Sequence, residues 1–305
     1  MIKKNIYLDK LQKNTFPIFL FHGVIDKPYD GVRNYTNKHM LVDIFEEIIF
    51  ELNKNGNAIS MDYIADCYNN NKKIPDHAYA ITFDDGFENN YTIGVPILEK
   101  YNTPATFYVS TGLIDNNHMT WIDRIEYCLD QVSNINIELP WNNSSTKLTD
   151  IKSKIICLND IRKNVKINPI KYNPEKIANM IFLQCSKEPI YSNSHLLDQK
   201  MNWDQINSIY QNPLFEIGGH SHNHVSLGSL SSIELKREVE KSMKLFNIKA
   251  GIGLTHYSYP EGQENDYSDE VIDLLINYGI KCCPTAIDGI NTHHTNPFHL
   301  KRIML

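Results

Sequence analysis

The 305-residue sequence lacks the features that mark several common classes of protein. Its six cysteines form no Cys-x-x-Cys pair, which argues against both a zinc ribbon and a disulfide framework. No apolar run is long enough to span a membrane, and no apolar segment follows the basic residues near the N-terminus as it would in a signal peptide. We therefore expect a reduced, cytoplasmic protein without stable membrane insertion.

A basic surface is also missing. The sequence has 30 Lys and Arg against 36 Asp and Glu, a net charge of -6, and shows no basic stripe, so we expect no nucleic-acid partner. It shows no internal repeat, and its 42% hydrophobic content is enough for a sizeable core. Since α/β barrels of this length are commonly single domains, we expect one domain over residues 1–305.

Apolar strand-like runs alternate with segments of helical periodicity along most of the chain. Residues 16–21 form a continuous apolar run, as expected of a strand buried on both faces. Residues 41–52 carry apolar side chains at helical spacing. This alternation predicts parallel βα units. The same reasoning predicts further helices at 61–68, 94–101, 203–210, 232–246 and 268–278, and further strands at 58–60, 80–83, 105–110, 214–218, 280–286 and 299–303.

The alternation loosens between residues 114 and 200, where the sequence is polar and rich in asparagine. Helical pieces are expected there only at 121–129 and 174–185. A connection of this length without structure of its own would be unusual in a compact domain. We therefore interpret the segment as an insertion between barrel units that could form a lid or a wall of the substrate site.

Two short polar clusters each follow a predicted strand. Asp84, Asp85 and Gly86 follow the strand predicted at 80–83, and the simplest interpretation of Asp-Asp-Gly is a turn. His220 and His224 follow a later strand at a spacing that would put both imidazoles on one face of a helical turn, as two ligands of one ion require. The alternative for the histidines is a polar surface loop.

Taken together, the clusters predict a metal site. In a βα barrel the carboxyl ends of all strands open on one face, and that face carries the site. Asp84 and Asp85 would meet His220 and His224 there, and His22 would arrive from the end of the first strand. Two histidines and one carboxylate make a catalytic type of zinc site with an open position. The second carboxylate is then free to take a proton from water.

The two clusters carry a family resemblance. Residues 82–86 read Thr-Phe-Asp-Asp-Gly and residues 220–224 read His-Ser-His-Asn-His, which resemble the first two motifs of the polysaccharide deacetylase (NodB-homology) family. Matching flanks lie at 104–107 and 216–218, and residues 257–262 resemble the region of the third motif. The similarity runs from about residue 17 to residue 303, interrupted by the insertion.

The resemblance implies a fold, a cofactor and a reaction. The fold would be a distorted (β/α)7 TIM-like barrel with a helical insertion. Asp84 would be the catalytic base, and Asp85, His220 and His224 would bind Zn²⁺ or another divalent transition metal. The enzyme would be a metal-dependent carbohydrate deacetylase, a C–N bond hydrolase that acts on the linear amide of an acylated sugar.

The sequence departs from the family pattern in two places. The third motif usually has an arginine two residues before its proline to orient the base, and this chain has Ser258 there. Arg124 and Arg302 are candidates to replace it. The usual Leu-x-His near the C-terminus, which supplies the acid, is not evident. We prefer His22 as the extra catalytic histidine at the mouth, with a satisfied structural histidine as the alternative.

Other side chains near the clusters also have two interpretations. His222 lies between the two expected ligands and would point away from the metal, either behind the ligands or exposed. Trp121 could line the substrate cleft or simply pack, and Trp203 is expected to pack.

These observations lead to one main function and two alternatives. The main one is removal of an N-acetyl or related acyl group from a nucleotide- or lipid-linked glycan precursor in the cytoplasm, within surface-glycan synthesis. The alternatives are a deformylase or cyclic-amide hydrolase on the same barrel, and a non-catalytic glycan-binding barrel. Asp84 argues against pure binding, because binding needs no free base beside a metal. The exact sugar, the metal and the oligomeric state stay open.

Overall fold

The computed structural model describes residues 5–305, so the first four residues of the predicted 1–305 domain lie outside it. The strands are β1 Thr15–Phe16, β2 Ile18–Phe21, β3 Gly23–Ile25, β4 His39–Leu41, β5 Asn57–Ala58, β6 Ala78–Phe83, β7 Ala105–Val109, β8 Ile135–Ile137, β9 Thr146–Leu148, β10 Phe215–Gly219, β11 Asn291–Thr292 and β12 Ile303–Met304. The helices are α1 Asn5–Leu8, α2 Val42–Asn55, α3 Met61–Asn69, α4 Val95–Lys100, α5 Thr111–Asn116, α6 Trp121–Asp130, α7 Ile151–Ile167, α8 Pro174–Gln184, α9 Trp203–Gln211, α10 Ser232–Ala250 and α11 Asp269–Asn277. A π-helical turn at Asn90–Gly94 precedes α4, and a 3-10 turn covers Leu227–Ser229.

A parallel sheet forms the centre of the fold. Its strand order is β10-β7-β6-β2-β12, and β5 pairs with the start of β6. Every residue of β2, β6 and β7 is buried, which explains why these strands are continuous apolar or small-residue runs rather than alternating ones. Phe83 stacks on Phe21 and on Phe107, with ring centroids 5.5 and 5.0 Å apart, because the three residues are paired in register on neighbouring strands.

Single parallel bridges continue the sheet beyond its two outer strands. They join Gly219 to Tyr257, His256 to Cys282 and Pro284 to Leu300. Within residues 5–305 these bridges link seven parallel segments into a ring that is regular on one side and irregular on the other. We number the segments along the chain as β2, β6, β7, β10, the fifth segment 256–259, the sixth segment 282–285, and the seventh segment, which ends in β12.

Two strand predictions need correction. The strong strand predicted at 280–286 is reduced to single bridges at Cys282 and Pro284, and Pro284 cannot donate a hydrogen bond to a ladder. The terminal strand predicted at 299–303 is confined to β12, which pairs in parallel with β2. The distortion of the barrel therefore lies where the sequence puts proline into its last segments.

The insertion folds around a hydrophobic cluster of its own, which buries residues from α6, α7, α8 and the β8–β9 hairpin. The prediction missed α7, a 17-residue helix that begins at a capping box between Asp150 and Ser153. Its buried stripe is narrow, with Leu158, Ile161 and Val165 separated by charged residues and asparagines. This weak periodicity explains the error. Between Asn5 and Leu305, no helix is both long and apolar enough to cross a membrane.

Candidate metal centre

The ends of β6 and β10 bring the three predicted metal ligands together. Asp85 follows β6, and His220 directly follows β10. One carboxylate oxygen of Asp85 lies 3.6 Å from Nε2 of His220 and 3.0 Å from Nε2 of His224. The ligand atoms of the three residues all lie within 4.8 Å of one another. One ion can therefore contact all three side chains.

The backbone that presents these ligands is not helical. Ser221 and His224 have φ angles of 60° and 53°, and Asp85 has a φ of 71° followed by Gly86 at 69°. The helical turn expected from the spacing of the two histidines is therefore wrong, and an irregular turn brings their rings to 5.0 Å between centroids. Left-handed residues other than glycine cost of the order of 1–2 kcal/mol each, and such strain concentrates at functional sites.

Hydrogen bonding and burial prepare the two imidazoles for a metal. Nδ1 of His220 donates to the carbonyl oxygen of Ser258 at 2.9 Å, which directs Nε2 toward Asp85. Burial lowers the pKa of His220 to about 4 despite the nearby Asp84, so this imidazole is neutral, as a metal ligand must be. Burial also opposes the charge of His224, but contact with Asp85 outweighs it and raises the pKa of His224. A bound cation would displace that proton.

The donor set fits a first-row divalent metal. Two imidazole nitrogens and one carboxylate oxygen are the ligands of a catalytic zinc site, and other transition metals share the preference. Burial by itself would raise the pKa of Asp85, but the neighbouring His224 holds it well below its usual range, so the carboxylate is ionised.

Asp84 lies at the edge of this ligand set, with one carboxylate oxygen 3.9 Å from Nε2 of His220, and is held by Arg302. Nη1 and Nη2 of Arg302 donate to the two carboxylate oxygens of Asp84 at 2.8 and 2.7 Å. Nη2 also donates to the hydroxyl oxygen of Ser258 at 2.9 Å, and Nε donates to the carbonyl of Thr285 at 2.6 Å. Burial alone would raise the pKa of Asp84, but the positive charge of Arg302 outweighs burial and lowers it.

Of the two arginines that the sequence offered as partners of Asp84, Arg302 is the one that contacts it. Arg124 lies in the insertion, where it pairs with Glu175 and donates to Asn179 and to the carbonyl of Ile190. No spacing rule could have found Arg302, since 218 positions separate it from Asp84. The contact depends on the strand order, because β12 pairs with β2 and β2 pairs with β6, which carries Asp84 at its end.

Two ranges of the sequence match one protein-family model. The model is described as polysaccharide deacetylase, and it matches residues 71–146 and 175–283. These ranges cover more than half of the chain and contain both motifs. The chain belongs to the polysaccharide deacetylase family. The unmatched stretch between the two ranges, 147–174, contains all of α7.

Solved structures confirm the fold of this family member as the distorted (β/α)7 barrel. It is similar to the Streptococcus pyogenes deacetylase PplD in complex with acetate, with 15% identity, coverage of 96% of this chain and 93% of that one, and a TM-score of 0.60. IcaB from Ammonifex degensii gives 13% identity, 97% and 94% coverage and a TM-score of 0.61. The BpsB deacetylase domain from Bordetella bronchiseptica gives 18% identity, 96% coverage of both chains and a TM-score of 0.57. A search of curated proteins found no match.

His22 lies at the mouth of the deacetylase barrel, directly after β2, and is partly buried. Burial lowers its pKa, and the negative charges of Asp85 and Asp84 oppose that shift only in part. His22 therefore lies within electrostatic reach of both carboxylates of the first motif. This position agrees with the predicted convergence of strand ends.

Two lysines beside the first motif escaped the sequence analysis. Nζ of Lys38 lies 3.9 Å from Asp85 and 2.6 Å from Asp123. Nζ of Lys200 lies 3.2 Å from the ring centroid of Phe87 and is buried without a hydrogen-bond partner among the described residues. Burial lowers the pKa of Lys200 to about 8. Single lysines in separate polar segments give no sequence signal.

The remaining predicted side chains lie outside the ligand set of the deacetylase. His222 is buried rather than exposed, and its Nδ1 lies 2.9 Å from the hydroxyl of Thr111. Trp121 is buried in the hydrophobic cluster of the insertion, so its role in packing is supported. Trp203 packs edge-on against Phe246, as expected.

A second group of potential ligands has a structural explanation. Asp62, Glu216 and His256 approach one another at the start of β10, the opposite end of the strand from His220. The carboxylate of Glu216 accepts hydrogen bonds from the backbone N–H groups of Met61 and Asp62 and from the hydroxyl of Thr106. Glu216 therefore accepts hydrogen bonds from the N–H groups of the first turn of α3, which explains its position without a metal.

Proposed function

We propose that this chain is a metal-dependent hydrolase that removes an N-acetyl or related acyl group from a sugar. The proposal depends mainly on one observation, that two adjacent carboxylates have different partners. Asp85 faces His220 and His224, whereas Asp84 is bound by Arg302. A binding protein would need only the first carboxylate, and a hydrolase needs both.

Asp85, His220 and His224 would hold Zn²⁺ or another divalent transition metal. When bound, such an ion supplies a Lewis acid for the acyl oxygen and lowers the pKa of water. The protein contributes the orientation of the ligands, because the carbonyl of Ser258 fixes the His220 ring.

Asp84 is the proposed general base. Arg302 keeps it ionised and fixes the plane of its carboxylate, so it can accept the proton of a water that attacks the acyl carbon. A new C–O bond forms in this step, and the proton of the water passes to Asp84. The fork of the arginine fits a carboxylate with two parallel hydrogen bonds, which is the geometry that resists rotation.

His22 is the proposed proton donor to the leaving nitrogen. The C–N bond breaks, the sugar amine takes a proton, and acetate leaves. His22 is supported by its place at the end of β2 and by its electrostatic contact with Asp84 and Asp85. Its lowered pKa implies that the protonated form is available on the acid side of its usual range.

The proposed substrate is a nucleotide- or lipid-linked glycan precursor in the cytoplasm. The cysteines support a reducing compartment, since all six are buried and unpaired. Such a precursor carries its acylated sugar as a single unit or at a chain end.

The decisive experiment compares Asp84→Asn with Asp288→Asn, a change at an exposed aspartate outside the first motif. Acetate release is measured from a nucleoside-diphosphate N-acetylhexosamine, a polyprenyl-linked analogue and short N-acetylglucosamine oligomers. Asp84→Asn should abolish release and leave metal content unchanged, while Asp288→Asn should behave as wild type. Unchanged release by Asp84→Asn would reject the mechanism. Parallel assays with N-formyl sugars and cyclic ureides separate the alternative hydrolases.

A further inference from the structure

Helix α7 belongs to the stretch that the family model leaves unmatched, yet it is tied to the barrel. Asn159, Arg162 and Lys166 are spaced so that they share one face of the helix. The neighbouring stripe, about 100° around the helix, is buried in the cluster of the insertion. This polar face therefore determines how α7 sits against the mouth of the barrel.

One part of the face contacts the loop between β3 and β4. The hydroxyl of Tyr35 donates to Oδ1 of Asn159 at 3.0 Å, and the guanidinium carbon of Arg162 lies 5.6 Å from the Tyr35 ring centroid. Nη2 of Arg162 also donates to Glu126 of α6 at 3.2 Å. The loop that carries Tyr35 comes after His22 in the chain, at the end where the first segment of the ring finishes.

The other end of the face contacts the loop after the fifth segment. Nζ of Lys166 lies 2.5 Å from a carboxylate oxygen of Glu261, directly after Tyr259 and Pro260. Glu261 has a left-handed φ of 61°, which turns it out of the segment. Glu261 lies three residues after Ser258, whose carbonyl accepts the hydrogen bond from Nδ1 of His220 at 2.9 Å, so the Lys166–Glu261 pair follows the part of the fifth segment that contacts a predicted metal ligand.

These two anchors lie on opposite sides of the ring. Along the ring, the first and fifth of the seven segments are four steps apart on the side that carries Asp85 and His220, and three steps apart on the side of the sixth and seventh segments. A helix of 17 residues is about 25 Å long and about 10 Å wide with its side chains. Its contacts with the two loops, through Asn159 and Lys166, are seven residues or about 10 Å apart along the helix, so this stretch of α7 lies between the loops after the first and fifth segments.

We propose that α7 limits the site to an acylated sugar that is single or stands at the end of a glycan, with the Lys166–Glu261 pair as the contact that determines this specificity. The proposal rests on the proposed function. An internal sugar of a long polymer needs the mouth open on two sides, because the chain must leave the site in both directions. The Lys166–Glu261 contact closes one of these exits.

The first test maps the position of deacetylation. The probe is a reducing-end-labelled pentamer of N-acetylglucosamine, and mass spectrometry locates each free amine. Wild type should act on a terminal sugar, and Lys166→Ala should raise the share of internal positions several-fold. Lys163→Ala is the matched control, because Lys163 is an exposed residue of α7 without an ion pair to any residue in 5–305. Internal deacetylation by wild type, or an unchanged profile in an active Lys166→Ala, would overturn the proposal.

A second test needs no turnover. The metal-loaded protein is mixed with a bulky chelator, and the rate of metal extraction is followed. Lys166→Ala should lose metal several-fold faster than wild type and Lys163→Ala, and equal rates would count against the covering role of α7. Absence of acetate release in every variant rejects the proposed function instead, so the two failures are distinguishable. Thermal unfolding of each variant confirms that the Ala substitutions leave the fold intact.

Discussion

Arg302 binds both carboxylate oxygens of Asp84, at 2.8 and 2.7 Å, from a position 218 residues away in sequence. Both side chains are buried, with Arg302 only 1% exposed. Ser258 stands where the family pattern expects an arginine, and its hydroxyl accepts a hydrogen bond from the same guanidinium. The proposed base therefore has a cation bound to it in this barrel, and the cation comes from the C-terminal segment.

The first prediction concerns the shape of this cation. Arg302→Lys keeps the charge but loses the planar fork, because a lysine ammonium binds as a point charge. We expect kcat for acetate release to fall about 100-fold, the effect of a misplacement of roughly 1 Å, with KM and metal content little changed. Arg237→Lys, at an exposed position of α10, is the control. A wild-type kcat in Arg302→Lys would mean that the fork does not orient the base.

The second prediction concerns pH. Burial alone raises the pKa of Asp84, and Arg302 brings it below its usual range. In wild type the base is therefore ionised at and above its usual titration range, and both its activity and its stabilising effect are lost only as the pH falls through the lowered pKa. Arg302→Gln removes the largest charge that opposes burial, so the acid limb of kcat/KM should move up by about one unit or more. An acid limb that does not move would show that Asp84 is not the titrating base.

The third prediction separates the two carboxylates by metal content. Asp84→Asn and Asp85→Asn are isosteric changes at adjacent positions, so each serves as the control for the other. Asp85→Asn should weaken metal binding by more than the roughly 10–100-fold typical of an outer-shell change, because Asp85 contributes a ligand atom. Asp84→Asn should retain the metal and lose turnover. Equal metal content in both variants would contradict the assigned ligand set, and dialysis followed by elemental analysis measures it.

The fourth prediction is that deprotonation of His22 causes the fall in activity as the pH rises. Burial lowers its pKa, and Asp85 and Asp84 restore only part of the shift. A proton donor with a lowered pKa loses its proton as pH rises through that value, so wild-type activity should be highest on the acid side of pH 6.5, the ordinary value for histidine. His22→Gln should lower kcat by roughly 10²–10⁴-fold and flatten the basic limb, and the exposed His294→Gln should do neither. A basic limb that survives His22→Gln would assign the proton to another group.

Much of the barrel was predictable because its strands are buried on both faces. Such strands appear as unbroken apolar runs, and the polar residues that end them mark the catalytic face. Asp85 and His224 were found in this way, although the turn that presents His224 is irregular rather than helical. The Thr-Phe-Asp-Asp-Gly motif indicated the family, and the resemblance to that family implied the distorted (β/α)7 barrel.

What escaped prediction depends on contacts made only when the ring closes. Arg302 contacts Asp84 because the last strand pairs with β2, and the sequence around residue 302 contains no pattern that predicts this contact. The strand predicted at 280–286 was wrong because Pro284 lacks the donor that a ladder requires. Helix α7 was missed because its apolar stripe is narrow, and tertiary packing rather than periodicity stabilises it.

The last prediction concerns Lys200, the buried ammonium that the proposed mechanism does not use. Residues 199–201 pair with the loop after the first motif through Glu88 N–H to the carbonyl of Gln199 and Met201 N–H to the carbonyl of Gly86, both at 2.9 Å. This pairing holds Nζ of Lys200 over the ring of Phe87 without a hydrogen-bond acceptor in the described part of the chain. Burial lowers its pKa to about 8, because the charged form is poorly solvated there.

Lys200→Met should therefore stabilise the protein at pH 7, by of the order of 1–3 kcal/mol, since it removes a buried and unpaired charge. Between pH 8 and the ordinary lysine value of 10.5, the unfolded wild-type chain binds more protons than the folded one, so wild-type stability rises with pH. The advantage of Lys200→Met should shrink across that window, whereas the exposed Lys244→Met should show no such trend. Urea unfolding at pH 7 and pH 10 measures both differences. A less stable Lys200→Met at pH 7 would mean that attraction to Phe87 and Asp85 exceeds the cost of burial, and that Lys200 is a structural cation of the first motif.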